Sequence, residues 1–216
     1  MHEFTPWAKT ARLFRDVVVT EKLDGTNSAI HLTPIADWEA ELLQSGPEAV
    51  PIHVVDVDGV KWAVSAQSWK RIITPGKTTD NFGFAGWVYD NAEVLVRLLG
   101  EGLHFGEWWG KGIQRNYGVP GRQFTLFNTE RYEGVHEAVG DFEGIPVLVS
   151  PVPVLYQGVF SEDRIIGELE VLRKYGSVAA PGFMNPEGIC IYHTQTRGVF
   201  KVTLDNQDAG KWEAAA

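Results

Sequence analysis

The sequence is short of cysteine and of cationic side chains, and it has no long apolar run. Cys190 is the single cysteine, so an internal disulfide is excluded and a reducing compartment is expected. The six histidines are scattered without the CxxC or HExxH spacing of a metal site. The longest apolar stretch, 145–156, is broken by Pro151 and Pro153 and is too short to span a bilayer. The first residues, MHEFTPWAKTARLF, lack the charged-then-apolar order of a secretory signal. A cytoplasmic protein without membrane attachment is the expectation.

Lys and Arg number 19 against 28 Asp and Glu, a formal charge of −9. Affinity for phosphate backbones comes chiefly from cations that displace counterions, so tight nonspecific binding to nucleic acid is disfavoured. Local positive fields are still available. Lys9, Arg12 and Arg15 lie close in sequence, as do Lys70, Arg71 and Lys77, and Lys111, Arg115 and Arg122.

Apolar and aromatic residues are plentiful. They make up 44% of the 216 residues and include eight tryptophans, enough to offset the ordering cost of folding and to exclude a disordered chain. Either one α+β domain or two closely packed lobes fits this length. β-branched and aromatic runs predict strands at 17–20, 27–32, 52–57, 60–66, 124–128, 146–149, 188–193 and 198–203. The stretch 33–51, rich in Glu, Ala and Pro, reads as an insertion or surface excursion.

Helices are predicted over 84–99 and 162–175. In the second, Ser161 is the candidate N-cap, Glu162 and Asp163 suit the positive helix end, and Ile165, Ile166, Leu169 and Leu172 recur at helical spacing. Gly176 is the natural stop. Strands outnumber helices without alternating with them, which favours an α+β architecture of antiparallel sheets over a doubly wound one.

Chemistry concentrates in a few segments. VVVTEKLDGTN, 17–27, ends an apolar strand in Lys22 and follows it with an Asp-Gly turn. A lysine there becomes a nucleophile if it sheds its proton, although K-x-D-G alone is a common accident of sequence. Downstream, in order, come FGEWWG (105–110), FTLFN (124–128), EGICIY (187–192) and VFKVT (199–203).

This ordered set resembles the covalent nucleotidyltransferases, the superfamily of polynucleotide ligases and capping enzymes, and within it most closely the RNA ligase family. The resemblance spans roughly 17–211. It implies a nucleotidyltransferase (adenylation-domain) fold of antiparallel sheets flanked by helices, an ATP-grasp-like ligase core. The whole of 1–216 would form one such domain, without a C-terminal OB or other accessory domain. By the same resemblance Lys22 forms a phosphoamide with AMP from ATP, and Asp24 and Gly25 complete the motif. Glu21 and Asn27 join the nucleotide-contacting set, Glu107 holds the ribose, and Phe127 stacks on the base. Glu187 binds Mg²⁺ or Mn²⁺, with Glu107 as a second candidate metal ligand, and Lys201 contacts the α-phosphate.

The implied activity is ATP-dependent joining of a 5′-phosphate to a 3′-hydroxyl on nucleic-acid ends, with RNA expected before DNA as the substrate. A partner protein could supply the missing accessory domain. The alternatives are a minimal DNA ligase or other adenylyltransferase, and a nucleic-acid-end binding module that has lost catalysis. The chain departs from the family pattern at three places. Thr203 stands where a second lysine is usual, leaving Lys211 as a substitute, Trp69 in AQSWKR stands where an arginine would align, and Asn128 replaces an acid.

GKTT at 76–79 imitates the end of a phosphate-binding P-loop. The glycine required five places upstream is Arg71, and Pro75 and DNFGF replace the expected strand and helix. That reading is set aside.

Overall fold

The computed structural model describes residues 3–7, 9–45 and 51–205. In chain order the elements are β1 (Asp16–Lys22), β2 (Thr26–Ile35), α1 (Asp37–Ser45), β3 (His53–Val57), β4 (Val60–Ser68), β5 (Ile72–Ile73), α2 (Phe84–Asp90) and α3 (Ala92–Leu99). They continue as β6 (Gly102–Gly110), β7 (Arg122–Leu126), β8 (Glu137–Phe142), β9 (Ile145–Pro151), β10 (Val154–Val159), α4 (Glu162–Tyr175), β11 (Gly188–His193) and β12 (Gly198–Thr203). Among the described residues no helix is long and apolar enough to cross a membrane.

The chain divides into two compact units, one made of Met1–Lys22 with Pro153–Ala216 and the other of Leu23–Val152. The first unit is a four-stranded antiparallel sheet in the order β10-β1-β11-β12. Alternation along β1 buries Val17 and Val19, which pack with Ile189 and Ile191 of β11 and with Ile165 and Leu172 of α4. This is the period-two logic of a half-buried strand. α4 occupies the predicted span and ends at Gly176, whose φ of 84° and N–H bond to the Leu172 carbonyl close the last turn.

Two details of α4 differ from expectation. Ser161 occupies the N-cap position in extended conformation, but its side chain makes no capping hydrogen bond. Ile166 is half exposed, because the buried stripe runs through Ile165 and Leu172 with Leu169 at its edge, and a residue one place on is rotated by about 100°.

The second unit holds the sheet β3-β4-β2-β6-β7-β9-β8, with β5 paired to β4. This sheet is mixed and not purely antiparallel, since β7 runs parallel to β9. Its core is aromatic: Trp87 stacks on Trp108 at 5.2 Å and Phe84 meets Phe124 at 5.1 Å between ring centroids. The predicted helix 84–99 is two helices. The break is at Asn91, where the backbone takes φ −116° and ψ 17°; its N–H and its side-chain amide both donate to the Trp87 carbonyl, at 3.1 and 2.8 Å. The stretch 33–51 contains the C-terminal end of β2 and α1, whose one buried residue is Ala40.

Candidate active site

In the first unit the register places the chemistry. Lys22 ends β1 opposite Gly188, and Glu187 immediately precedes that glycine. The Lys22 ammonium donates to Glu187 Oε2 at 2.6 Å, with side chains 21% and 13% exposed. A charge-assisted bond this short, largely withdrawn from water, fixes where the amine sits. Gly188 is required for it. Its φ is +151°, and a Cβ there would lie 2.1 Å from the Val202 carbonyl oxygen.

Thr20, Cys190 and Lys201 lie in register across β1, β11 and β12, as do Lys22, Gly188 and Thr203. Residues in register, and residues two apart along a strand, share a sheet face. Lys22, Lys201 and Thr203 are therefore on one face, opposite the face packed under α4. Lys201 is exposed and Thr203 is buried. Lys211 lies outside the described residues.

Glu21 belongs to the other face. It is 1% exposed, and its Oε2 accepts the Val178 and Ala179 amides at 2.9 Å each. Its second oxygen is buried without a hydrogen-bond partner. Burial pushes this carboxyl above the usual carboxylate range, while the Ser177 hydroxyl and the two amides pull the other way.

In the second unit the turn after Lys22 is held from several sides. The Gly25 amide donates to Glu107 Oε1 at 3.0 Å, and Asn27 pairs with Glu107 across β2 and β6. A Cβ on Gly25 would lie 2.5 Å from the Trp108 carbonyl oxygen, so only glycine allows this approach. The Asp24 amide donates to the Tyr117 hydroxyl at 2.8 Å, and Arg115 Nε donates to Asp24 Oδ2 at 3.0 Å.

Neither Arg115 nor Tyr117 was placed at this turn by sequence reasoning. The signal that could have pointed to them is the glycine-rich KGIQRNYG that follows β6 directly. What sequence does not display is that Gln114, Asn116 and Tyr117 all take left-handed backbone, with φ of 43°, 62° and 46°.

Phe127 follows β7, is 40% exposed, and donates its amide to the Phe105 carbonyl at 3.0 Å. Its ring is outside the core and open to a ligand. Asn128 caps the next turn, accepting the Arg131 amide at 3.1 Å on its side chain. The false P-loop is explained by Asp80, whose two carboxylate oxygens take the Ala85 and Gly86 amides at the start of α2. The donors a phosphate would need are occupied.

Among the described residues no group of three or more His, Cys, Asp or Glu gathers as a metal cage. Glu187 offers the oxygen donor that a hard divalent cation prefers. Any such ion held there would complete its shell with water or substrate oxygens, as Mg²⁺ commonly does.

An α+β protein of sheets and a few helices, carrying a lysine at a strand end against a carboxylate, is the class these observations define. The chain belongs to the RNA ligase family, whose sequence profile matches residues 15–203. No curated protein matches it.

Proposed function

We propose that this protein is an ATP-dependent RNA ligase working through a lysyl-AMP intermediate on a nucleotidyltransferase fold. The observation that carries the reading is the Lys22–Glu187 bond of 2.6 Å, formed by two residues 165 positions apart, with Lys201 on the same sheet face. Membership of the RNA ligase family supports it.

In the first step Lys22 Nζ, having lost its proton, attacks the α-phosphorus of ATP. A P–N bond forms, the α–β anhydride P–O bond breaks, and pyrophosphate leaves. In the second step an oxygen of a 5′-phosphate displaces Lys22 from the AMP phosphorus. In the third a 3′-hydroxyl attacks the activated end, sealing the strand and releasing AMP. Charge develops on nonbridging oxygens throughout, so positioning and cations supply most of the rate.

Lys201 steadies the α-phosphate in this scheme, and Glu187 orients the amine. Glu107 and Phe127 bind ribose and base. A Mg²⁺ or Mn²⁺ ion held by Glu187, with Glu107 as a second candidate, would supply further positive charge to the transferred phosphoryl group.

The test is intact-protein mass spectrometry after incubation with ATP and Mg²⁺ or Mn²⁺. Wild type should gain one AMP and Lys22→Ala none. Adducted protein should then pass AMP to a 5′-phosphorylated RNA end. Absence of any adduct would sink the reading and favour a binding module without catalysis.

A further inference from the structure

We propose that the segment from the end of β4 to the start of α2 is a docking surface for an unpaired nucleotide of the strand being joined, with its base stacked on Trp69 and its phosphates on Lys70, Arg71 and Lys77. The inference deepens the ligase reading and rests on it for its biological role.

Trp69 is 76% exposed, at the tip of a turn closed by the Ser68 amide bonding to the Arg71 carbonyl at 2.8 Å. A bare indole on a tight turn exposes apolar surface that the core of its own unit does not use. Lys70, Arg71 and Lys77 beside it are also exposed. Such a collection stands out in a chain of net charge −9. Stacking on an aromatic face, with cations following the backbone, is how single strands are held without base readout.

The turn and the loop after it are connected. The Arg71 guanidinium reaches the Thr78 carbonyl at 3.5 Å, and Lys77, Phe82 and Arg122 line a cleft of about 520 Å³ next to it. Asp80 is the acid in that cleft, and its oxygens are already engaged by the amides of Asn81, Ala85 and Gly86. Arg122 donates to the Lys111 and Phe82 carbonyls and lies over the Phe142 ring, so Lys77 is the cation of that cleft left to meet a phosphate.

The surface also lies at the right end of the sheet. Ser68, the residue before Trp69, pairs with Ser28. Asn81 Nδ2 donates to Thr26 Oγ1 at 2.7 Å. Thr26 and Ser28 flank Asn27, the partner of Glu107. The aromatic and basic turn thus borders the strand start that follows the Asp24–Gly25 turn.

The test is fluorescence anisotropy with labelled single-stranded RNA, single-stranded DNA and a blunt duplex, in the absence of ATP. Trp69→Ala should bind both single strands roughly tenfold more weakly, and Trp69→Phe should keep most of the affinity. Lys70→Ala, Arg71→Ala and Lys77→Ala combined should reduce the slope of log affinity against log salt by about 2. Equal losses on RNA and DNA support stacking.

Unchanged binding by Trp69→Ala, or a wild type that prefers the blunt duplex, would overturn the proposal. Circular dichroism should show every variant folded, since the mutated side chains are exposed. Binding is read without ATP, so the two readings fail separately. Trp69-dependent binding without a lysyl-AMP adduct removes the ligase reading alone, and an adduct with Trp69-independent binding removes this one alone.

Discussion

His104 shows what a buried polar side chain contributes at the scale of one residue. It is fully buried on β6, with one ring nitrogen 2.7 Å from the Tyr132 hydroxyl and the other 3.0 Å from the Gly100 carbonyl. The neutral ring satisfies both by donating to the carbonyl and accepting from the phenol. Burial holds its pKa at about 4 against the ordinary 6.5. Between those values the unfolded chain binds a proton that the folded chain refuses, so this residue's stability is present above pH 6.5 and is lost as pH falls toward 4. The loss should approach about 3 kcal/mol. Urea midpoints measured across that window should decline for wild type and decline less steeply for His104→Phe, which will itself be less stable because Tyr132 loses its partner.

The glycines of the two site turns are a second residue-scale case. Gly25→Ala would set a methyl 2.5 Å from the Trp108 carbonyl oxygen and 2.7 Å from the Trp109 Cβ. The turn must shift or the sheet must yield, at a cost of about 1–3 kcal/mol. A lowered melting temperature with a lowered rate of AMP adduct formation is the expected outcome. An unchanged melt would show that the turn moves freely.

At the scale of elements, the loop 111–121 between β6 and β7 acts as a clamp on the turn that follows Lys22. Tyr117 is 2% exposed, packs edge-on against Trp109 at 5.0 Å, and receives the Asp24 amide. Tyr117→Phe leaves that part-buried amide without its acceptor and should cost about 1 kcal/mol in chemical denaturation. Arg115→Ala should slow adduct formation at saturating ATP more than it raises the ATP concentration needed, with Arg115→Lys restoring part of the rate. Equal effects of Ala and Lys would argue against the ion pair as the operative contact.

Elements were legible where the signal is local. α4 could be read to the residue because acids open it, a glycine ends it, and its apolar spacing is helical. The two-helix break at Asn91 is not legible because the apolar pattern runs straight through it, and only the dihedral angles of that one residue mark the interruption. β8 escaped notice since EAVGDF carries two acids and is interrupted by Gly140 in left-handed conformation. The parallel β7–β9 pairing joins segments over a distance that no local pattern encodes. The same holds for the site. Lys22 and Glu187 each stood in a motif, but their meeting depends on β1–β11 register. The engagement of Arg115 with Asp24 depends on strained backbone in the loop between β6 and β7.

At the scale of the molecule, the second unit is one continuous stretch, 23–152, whereas the first is assembled from both ends of the chain. Within the first unit the Glu21 amide bonds to the Pro153 carbonyl at 3.0 Å, so the chain departs and returns at neighbouring points. The stretch 23–152 carries its own core of Trp87, Trp108, Phe84 and Phe124 among many others. Expressed alone, it should give a single cooperative thermal transition by circular dichroism. It should form no AMP adduct, lacking Lys22. A fragment without cooperative melting would show that this core needs the other unit.

β1 carries adjacent side chains with opposite destinations, Glu21 under the amides of 178 and 179 and Lys22 toward Glu187. One residue added or removed within this strand would exchange them, placing an amine in the acid's niche and a carboxylate opposite Glu187. For protein engineering the scaffold is therefore unequal along its length. β1 is constrained in length as well as in its buried side chains, while the exposed helix at 37–45, whose one buried residue is Ala40, is where foreign sequence can be grafted.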